Sequence, residues 1–509
     1  MTSRENKQAK RSEKLFDEIV SGRVKVLSQA PRKRPSQSNR KGGGLADAES
    51  EEAMAADYLR LLKLLLPGAL TKLSALEDPR EIKKCEHSLP TLIIYGLIMF
   101  LAHIPSRRAA NRDIGGNAAH EMIKQVIPEL DTIPHADTLA RLLKRIDTDE
   151  FESCYEKTII EFLKSKTFLE LNQGRHLIAI DGTQKYSRRY MFDERALVYN
   201  RGDETRERYC VYVLESVLIL ESGIVLPLFT EFLENDGSEL DENKSKQDCE
   251  LKAFMRLTDK IKKHIGKGVV TLVVDGLYAS GPVMSRCTTF GWDFMITLKR
   301  GSLPTVWEDY DGLRKVESDN SLQHKSDDGR DQTFEWSNGL DYIYGRNNKR
   351  LSLNIVTCKE EWIEMCSRSG TKPILKTCEF AWLSSFTVTA RNVARLCNTI
   401  ARKRWRIENH FHVEKHQGYG YSHSYSYNWN AMKGFHSLMK FAHFINTLIT
   451  SSAIICGYVK CHGTRWLIKK VWTLLTNRPI SQQASELMQI NSGGKRRGCI
   501  FRDIKLPAA

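Results

Sequence analysis

Apolar residues recur at three- and four-residue spacing through most of the chain between residues 50 and 170. Two of the runs are YLRLLKLLLPGALTKLSAL and LPTLIIYGLIMFLAHI. This spacing is the period of an α-helix with a buried face. Pro67, Gly68 and Pro105 interrupt it, and Asp137 fits a helix start. The pattern predicts an all-helical N-terminal domain over residues 49–172, to which we assign DNA binding as an expectation.

Near residue 176 the pattern changes to short runs rich in β-branched and aromatic residues. HLIAIDGTQ, ERYCVYVLESVLILE and GIVLPLFTEFLE read as three strands, and Ser222-Gly223 predicts a hairpin between the last two. A helix is predicted over 248–265, a strand over 268–278, a short helix from Gly281 and a strand over 292–300. The order β-β-β-α-β-α-β predicts a mixed α/β sheet over residues 173–300.

Beyond residue 300 the helical period disappears and then returns. Residues 301–388 contain strand-like runs separated by polar loops, which predicts a β-rich insertion. A long basic helix is predicted from Thr389 to Gly418, followed by an amphipathic helix over 430–455. We therefore divide the rest of the chain into residues 389–455, which complete the sheet domain, a C-terminal helical segment with a basic tail over 456–509, and a basic flexible arm over 1–48.

The overall charge indicates a polyanionic partner. The chain has 509 residues, 41% hydrophobic and 27% charged, with a formal net charge of +15. Neutralising phosphates with such an excess of cations drives non-specific binding to nucleic acids. In the arm, Arg32, Lys33, Arg34, Arg40 and Lys41 lie among Pro, Ser and Gly, which fits either a solvated tail or a segment that follows phosphates.

Cysteine usage and the apolar runs suggest a compartment. The 12 cysteines include no CxxC pair, and Cys154, Cys210, Cys287, Cys358 and Cys397 lie in apolar or mixed runs. Buried free thiols in a reducing compartment are expected. The N-terminal residues lack the apolar stretch of a signal peptide, and the longest apolar run, 89–104, is shorter than the ~18–20 residues of a membrane span. We expect no membrane contact and a cytoplasmic location.

Two aspartates occupy similar positions in the predicted sheet. Asp181 and Asp275 each follow an apolar strand and each precede a glycine. A carboxylate at such a place must be exposed, paired or metal-bound, because its burial alone is costly. Neighbouring strand ends can bring two carboxylates close enough to share a divalent cation. Ordinary strand-terminal aspartates are the alternative interpretation.

A third candidate lies on the predicted basic helix. Arg404, Glu408 and Lys415 are spaced by four and seven residues, which places them on one helical stripe. Such a stripe is often only a solvated face with ion pairs. Here the neighbouring stripe is apolar, so the charged stripe borders a packed contact. A carboxylate between two cations suits metal binding beside phosphate.

The same three residues carry a resemblance to a known family. Arg404, Glu408 and Lys415 fit the Y-x2-R-x3-E-x6-K signature of cut-and-paste insertion-sequence transposases, although Ala401 stands where the signature has tyrosine. With Asp181 and Asp275 upstream, the chain resembles DDE-type transposases. The resemblance implies an RNase H-like mixed sheet with a β-rich insertion and an all-helical N-terminal domain. The catalytic domain would then comprise residues 173–300 and 389–455.

The resemblance also implies an activity. Asp181, Asp275 and Glu408 would bind two Mg²⁺ (or Mn²⁺) ions per active site. The enzyme would cleave DNA at transposon ends and join the 3′-hydroxyl ends to target DNA by two-metal phosphoryl transfer. Arg404, Lys415 and Trp405 would contact DNA, with Trp405 compensating for Ala401. A homodimer in the synaptic complex and a prokaryotic, nucleoid-associated location follow from the same resemblance. An RNase H-like DNA nuclease and a catalytically inactive DNA-binding relic are the alternatives.

Several aromatic and histidine residues remain ambiguous from the sequence. Trp307 and Trp336 could hold a flipped base, as aromatics do in related transposases, but we favour a small core. A basic surface facing DNA is favoured over a zinc site for the histidines. The loop YGYSHSYSYNW over 419–429 fits packing against DNA or against the adjacent helix. The histidines concerned are His410, His412, His416 and His423.

Overall fold

The computed structural model describes most of the chain. The described residues are 45–73, 75–116, 123–124, 132–172, 174–200, 205–235, 247–365, 373–477 and the single positions 501, 504 and 506. They fall into two compact units, a larger one within Gly43–Val270 and Trp405–Ala509 and a smaller one within Thr271–Arg404. The predicted basic arm, apart from its last residues, and the basic tail around 493–498 lie outside the described residues.

The N-terminal part of the larger unit is helical. Its helices start where side chains cap the first turn: Ser88 accepts from Thr91 N, and Asp147 accepts from Asp149 N and Glu150 N. The bounds are α1 Leu45–Leu73, α2 Leu89–Leu101, α3 Arg107–Asp113, α4 Ala136–Leu143, α5 Thr148–Leu163 and α6 Lys166–Leu171, with a 3-10 turn at Ile82–Lys84. The apolar residues of α2 are buried along almost the whole length of the helix.

The strands of the larger unit form an antiparallel meander, which contains the predicted hairpin. β1 pairs with β3 and β3 pairs with β4, and a tight turn containing Gly223 at φ 85° joins the last two. A short strand, β2, adds to the edge of β3 and was not predicted. The bounds are β1 His176–Arg188, β2 Leu197–Tyr199, β3 Arg208–Ile219 and β4 Val225–Leu233.

One long helix forms the centre of the larger unit. This helix, α11 (Trp429–Thr450), begins at Asn428, whose side chain accepts from Ala431 N, and packs against α2, α4, α5 and β4. Nearly all of its residues are buried, so it carries the core between the helices and the strands. The other helices are α7 Glu250–His264, α10 Arg406–His416, α12 Cys456–His462 and α13 Thr464–Asn477.

The smaller unit contains the β-rich part of the chain. Most of β5 (Val270–Val274) belongs to it and runs parallel to β6, and β6, β10, β9, β8 and β7 continue antiparallel in that order. The bounds are α8 Gly281–Phe290, β6 Asp293–Thr297, α9 Pro304–Leu313, β7 Ser321–Lys325, β8 Asp331–Tyr344, β9 Lys349–Met365 and β10 Pro373–Ser384, with a 3-10 turn at Gly276–Tyr278.

The predicted α/β class with a mixed, RNase H-like sheet is confirmed, and ten strands are present in the described residues. Two elements differ from prediction. The β-rich segment contains a helix, α9, which Pro304 starts. The single helix predicted over 389–417 is instead one helical turn (Val393–Arg395), a π-helical segment (Leu396–Ile400), a 3-10 segment (Ala401–Trp405) and α10. A sequence period cannot distinguish these helical forms here, because the π-helical and 3-10 segments have only 5 residues each.

Two further expectations can be checked against the described residues. Cys154, Cys210, Cys287, Cys358 and Cys397 are buried free thiols, as predicted. No helix in the described parts of the chain is both long enough and apolar enough to cross a membrane.

Gly281, the first residue of α8, gives a test of packing in the smaller unit. A Cβ built there would lie 2.1 Å from Tyr344 Cγ, so Gly281→Ala forces the tyrosine ring to move. We expect a loss of about 1–3 kcal/mol in the free energy of unfolding, the usual cost of overpacking. Thermal unfolding by calorimetry would measure it.

The matched control is Gly312→Ala in α9, where an added Cβ meets nothing within 4 Å. That change should leave stability unchanged or raise it, since alanine favours a helix over glycine. Truncating the ring in Gly281→Ala/Tyr344→Ala should remove most of the loss that is due to the clash. An equally stable Gly281→Ala single variant would contradict the packing.

Candidate active site

Asp181 lies in the middle of β1 and not, as the sequence predicted, after the end of a strand, because β1 stays paired with β3 as far as Arg188. Its carboxylate is half-buried, and Oδ1 accepts from Gly182 N at 2.9 Å. Side chains alternate between faces along a strand, so Thr183 projects from the same face. Thr183 is 7% exposed, which places it in the contact between β1 and the helices above it.

Lys415 of α10 contacts Thr183 of β1. Its Nζ donates to Thr183 Oγ1 at 2.5 Å, and its side chain is half-buried. Glu408 lies seven residues earlier on the same helix, which returns to nearly the same face after two turns. Glu408 is exposed. The larger unit therefore places the helix that carries Glu408 directly over the strand that carries Asp181.

Asp275 belongs to the smaller unit, at the end of β5. Its Oδ1 accepts from Leu277 N at 2.9 Å and so caps the 3-10 turn that follows the strand. The side chain is half-buried. The carboxylate thus stays at the end of the strand, as the sequence predicted, and the cap fixes its orientation.

The residues before α10 belong to the smaller unit and pack tightly. Arg402 donates to Glu360 Oε1 of β9 at 2.5 Å, and its guanidinium lies 4.4 Å from the centre of the Phe380 ring. Ala401, the position of the signature tyrosine, is 3% exposed, and Arg404 is 7% exposed. Trp405, the first residue of the larger unit after this boundary, is 53% exposed.

A buried ionic cluster lies beneath the contact between β1 and α10. Its centre is the Lys440 ammonium of α11, which donates to Glu215 Oε2 and, at 2.8 Å, to Glu414 Oε1. Both carboxylates have no solvent exposure, and Lys440 is 1% exposed. Tyr421 OH donates to Glu215 Oε1 at 2.9 Å. Burial raises the pKa of Glu414, but the Lys440 charge and the hydrogen bonds with His410 and His443 outweigh it and hold that pKa well below its ordinary value.

Two histidines complete the cluster. His443 Nδ1 lies 2.7 Å and His410 Nε2 3.1 Å from Glu414 Oε1. In the described residues these three are the one group with at least three potential metal ligands within 4.8 Å of one another, and Asp181, Asp275 and Glu408 are not part of it. Lys440 Nζ lies 3.2 Å from His410 Nε2, so an ammonium already supplies the cation there. Burial lowers the pKa of His410 to about 4, which keeps that imidazole neutral.

Two known protein families match parts of the chain. Residues 244–445 match the family described as Transposase DDE domain, and residues 70–158 match the family described as DDE_Tnp_1-associated. The chain belongs to the DDE-type transposases. No curated protein matches the chain. The first matched range includes Asp275 and Glu408, whereas Asp181 lies outside both ranges. Divalent metal ions are the usual cofactors in this family.

Sequence reasoning missed the ionic cluster of the transposase and misassigned one of its members. His410 was predicted to face DNA, but it is 4% exposed and bonds within the cluster, so that prediction is wrong. His412, His416 and His423 are exposed, as predicted. A signal for the cluster exists in the sequence: Glu215 and Lys440 are single charges inside the apolar runs VLESVLIL and SLMKFAHF. Such isolated charges in buried elements require partners.

The ambiguous aromatic residues are mostly core residues in the transposase. Trp307 and Trp336 are 5% and 4% exposed, and Trp307 Nε1 donates to Lys299 O at 3.1 Å. In the 419–429 loop, Tyr419, Tyr421, Tyr425 and Trp429 are buried. The Tyr425 ring stacks on Phe435 of α11 with centres 5.3 Å apart. The loop therefore packs mainly against the adjacent helix, with Tyr427 exposed.

Lys185, on the same face of β1 as Asp181, is a buried lysine with few partners. Its Nζ donates to Tyr421 O at 2.8 Å and lies 3.3 Å from His436 Nδ1. Burial lowers its pKa to about 7, although Glu215 and Glu414 favour the charged form. Near neutral pH this lysine therefore holds its proton only partly in the folded transposase.

Stability should depend on pH through Lys185. Its pKa is about 7 in the folded protein and 10.5 for an ordinary lysine, so the unfolded chain binds more protons between these values. The stability of the wild type should therefore rise with pH in that window, relative to Lys185→Met. We expect the difference in the free energy of unfolding to change by at least about 1 kcal/mol between pH 7 and pH 9. Urea titrations of both proteins measure it, and parallel pH curves would contradict the assignment.

Proposed function

We propose that this transposase cleaves DNA at the ends of its element and joins the resulting 3′-hydroxyl ends to target DNA, using Asp181, Asp275 and Glu408 as metal-binding carboxylates. The observation that carries the proposal is the hydrogen bond between Lys415 and Thr183. It supports a common site for Asp181 and Glu408, because it fixes the glutamate helix on the aspartate strand.

The assignment of Asp275 to the proposed site is supported by the place where its strand starts. In the larger unit, His176 N donates to Val269 O at 2.7 Å, so β1 and the segment leading into β5 begin side by side. Asp181 and Asp275 follow these two residues at nearly the same distance along the chain. On these sequence positions, and on the acidic triad that the resemblance implies, we assign both aspartates to the same metal centre.

The donor set fits a hard divalent cation. Three carboxylates offer the oxygen ligands that Mg²⁺ and Mn²⁺ prefer, and we assign two ions to each active site. Asp181, Asp275 and Glu408 would hold these ions, which would supply activation of the attacking oxygen and charge stabilisation of the leaving 3′ oxygen. The protein contributes the placement: Asp275 is fixed by its cap on Leu277, and the helix of Glu408 is fixed by Lys415.

DNA binding is assigned to cations and an aromatic around these carboxylates. Lys415 and Arg404 would position phosphates without reading bases, and the exposed Trp405 ring would stack on DNA in place of the missing tyrosine at 401. The net charge of +15 favours both transposon-end and target DNA. We assign the cut-and-paste route, a homodimer in the synaptic complex and end binding by residues 49–172 to the same proposal.

Neutral amide substitutions test the three carboxylates. Asp181→Asn, Asp275→Asn and Glu408→Gln should each reduce cleavage and strand transfer by at least roughly 1,000-fold, because metal binding and charge stabilisation are lost together. Binding of a duplex carrying the element's end should stay within a few-fold of wild type. Single-turnover cleavage and joining assays measure both steps.

The control is Glu221→Gln, which neutralises an exposed carboxylate in the hairpin turn and should behave as wild type. Cleavage at the wild-type rate by any of the three amide variants would overturn the assignment of that residue. A wild-type protein that cuts but never joins pre-cleaved ends would instead identify a nuclease.

Metal rescue tests direct ligation by Asp275. A thiolate is a softer ligand than a carboxylate, so it disfavours Mg²⁺ more strongly than Mn²⁺. Asp275→Cys should therefore be inactive in Mg²⁺ and recover measurable cleavage in Mn²⁺, while Asp275→Asn recovers much less. Equal activity of Asp275→Cys in the two metals would contradict direct coordination.

A further inference from the structure

The buried cluster is connected to both of the proposed catalytic carboxylates in the larger unit. Glu215 of β3 is the direct cross-strand partner of Asp181 in the β1–β3 register. Side chains of directly opposite residues in an antiparallel pair lie on the same face, so Glu215 extends from the sheet face of Asp181. The other buried carboxylate, Glu414, belongs to α10, the helix of Glu408.

One ammonium joins these two carboxylates. Lys440 donates to Glu215 on the strand side and, at 2.8 Å, to Glu414 on the helix side. His443 adds a contact of 2.7 Å to the same oxygen of Glu414, and Lys440 and His443 both lie on α11. The second oxygen, Glu414 Oε2, is buried without a hydrogen-bond partner. The position of Glu414 therefore depends on contacts to a single oxygen.

Charge explains why this connection matters for position. Glu215 and Glu414 share one cation inside a region without solvent, where unscreened repulsion between two carboxylates is strong. Both carboxylates are instead attracted to the Lys440 ammonium, which lies between them. Without it, either a carboxylate takes up a proton or α10 moves away from β3, because β3 is fixed in the sheet on both sides by β1 and β4.

We propose that Lys440 is a positioning residue for the transposition reaction: by holding Glu215 and Glu414 together, it sets α10 against β1 and β3 and thereby keeps Glu408 at the correct distance from Asp181. This inference rests on the proposed function. Lys440 touches neither DNA nor metal in this role. A displacement of about 1 Å at a reacting centre can cost two orders of magnitude in rate, so the cluster is expected to control activity at a distance.

The test is a variant that removes the ionic connection without leaving unpaired charge. Glu215→Gln/Glu414→Gln/Lys440→Met keeps the side-chain sizes and neutralises all three groups. In the full-length protein we expect a folded chain by circular dichroism and wild-type affinity for end-containing duplex. We expect cleavage to fall by about 10- to 100-fold and the Mg²⁺ concentration for half-maximal rate to rise, as for other residues that orient metal ligands.

A milder variant and a matched control accompany it. Glu414→Gln leaves Lys440 paired with Glu215, so it should fold readily and show a smaller change in the same direction. The control is Glu156→Gln, another buried carboxylate of the larger unit, paired with His264 at 3.1 Å and Lys260 at 3.5 Å. That variant should keep the wild-type rate and Mg²⁺ dependence even where its stability falls.

The outcomes separate this inference from the proposed function. A shifted Mg²⁺ dependence in the triple variant and in Glu414→Gln, with Glu156→Gln unchanged, supports positioning by Lys440. Wild-type rate and Mg²⁺ dependence in Glu414→Gln or in a folded triple variant, while Glu408→Gln is inactive, overturns the inference and leaves the function intact. Activity of Glu408→Gln itself overturns both.

Discussion

Two carboxylates without solvent exposure, Glu215 and Glu414, have to be neutralised inside the larger unit, and the Lys440 ammonium does so for both. Breaking a buried ion pair by removing one partner typically costs about 3–5 kcal/mol, because the remaining charge cannot be solvated. The strand, the helix α10 and the central helix α11 are therefore constrained together. The contact between Lys415 and Thr183 lies on top of this cluster and depends on the same placement of α10.

Sequence reasoning recovered the elements that a local period defines. The buried helix α2, the β3–β4 hairpin and the apolar strand before Asp275 each carry a clear pattern of their own. It failed where a segment is too short to show its own period, as in the π-helical segment Leu396–Ile400. It also failed where one proline starts a helix inside a β-rich region, as in α9. Neither difference is visible in hydrophobic spacing, because each depends on backbone hydrogen bonding and tertiary packing.

The same distinction between local patterns and tertiary contacts applies to the candidate site. Asp275 and Glu408 are proposed from local features, a strand end and a spaced motif, and the resemblance to a family links them to Asp181, which lies in the middle of its strand. The cluster of Lys440 could not, since its members come from β3, α10 and α11, and only the folded chain shows which isolated charges meet. His410 shows the consequence: a histidine in a basic stretch suggests a surface, but α10 turns it into the core.

The function that we propose for this DDE-type transposase requires Asp181, Asp275 and Glu408, from distant parts of the chain, to bind the same metal centre. Replacing Mg²⁺ by Fe²⁺ and generating hydroxyl radicals at the bound ion cuts the polypeptide next to its ligands, and the fragments can be mapped by mass spectrometry. We expect metal-dependent cuts near residues 181, 275 and 408 in the same sample, suppressed by excess Mg²⁺. Cuts confined to residues 410–414 and 443, with none near 181 or 275, would place the metal in the histidine cluster and contradict the claim.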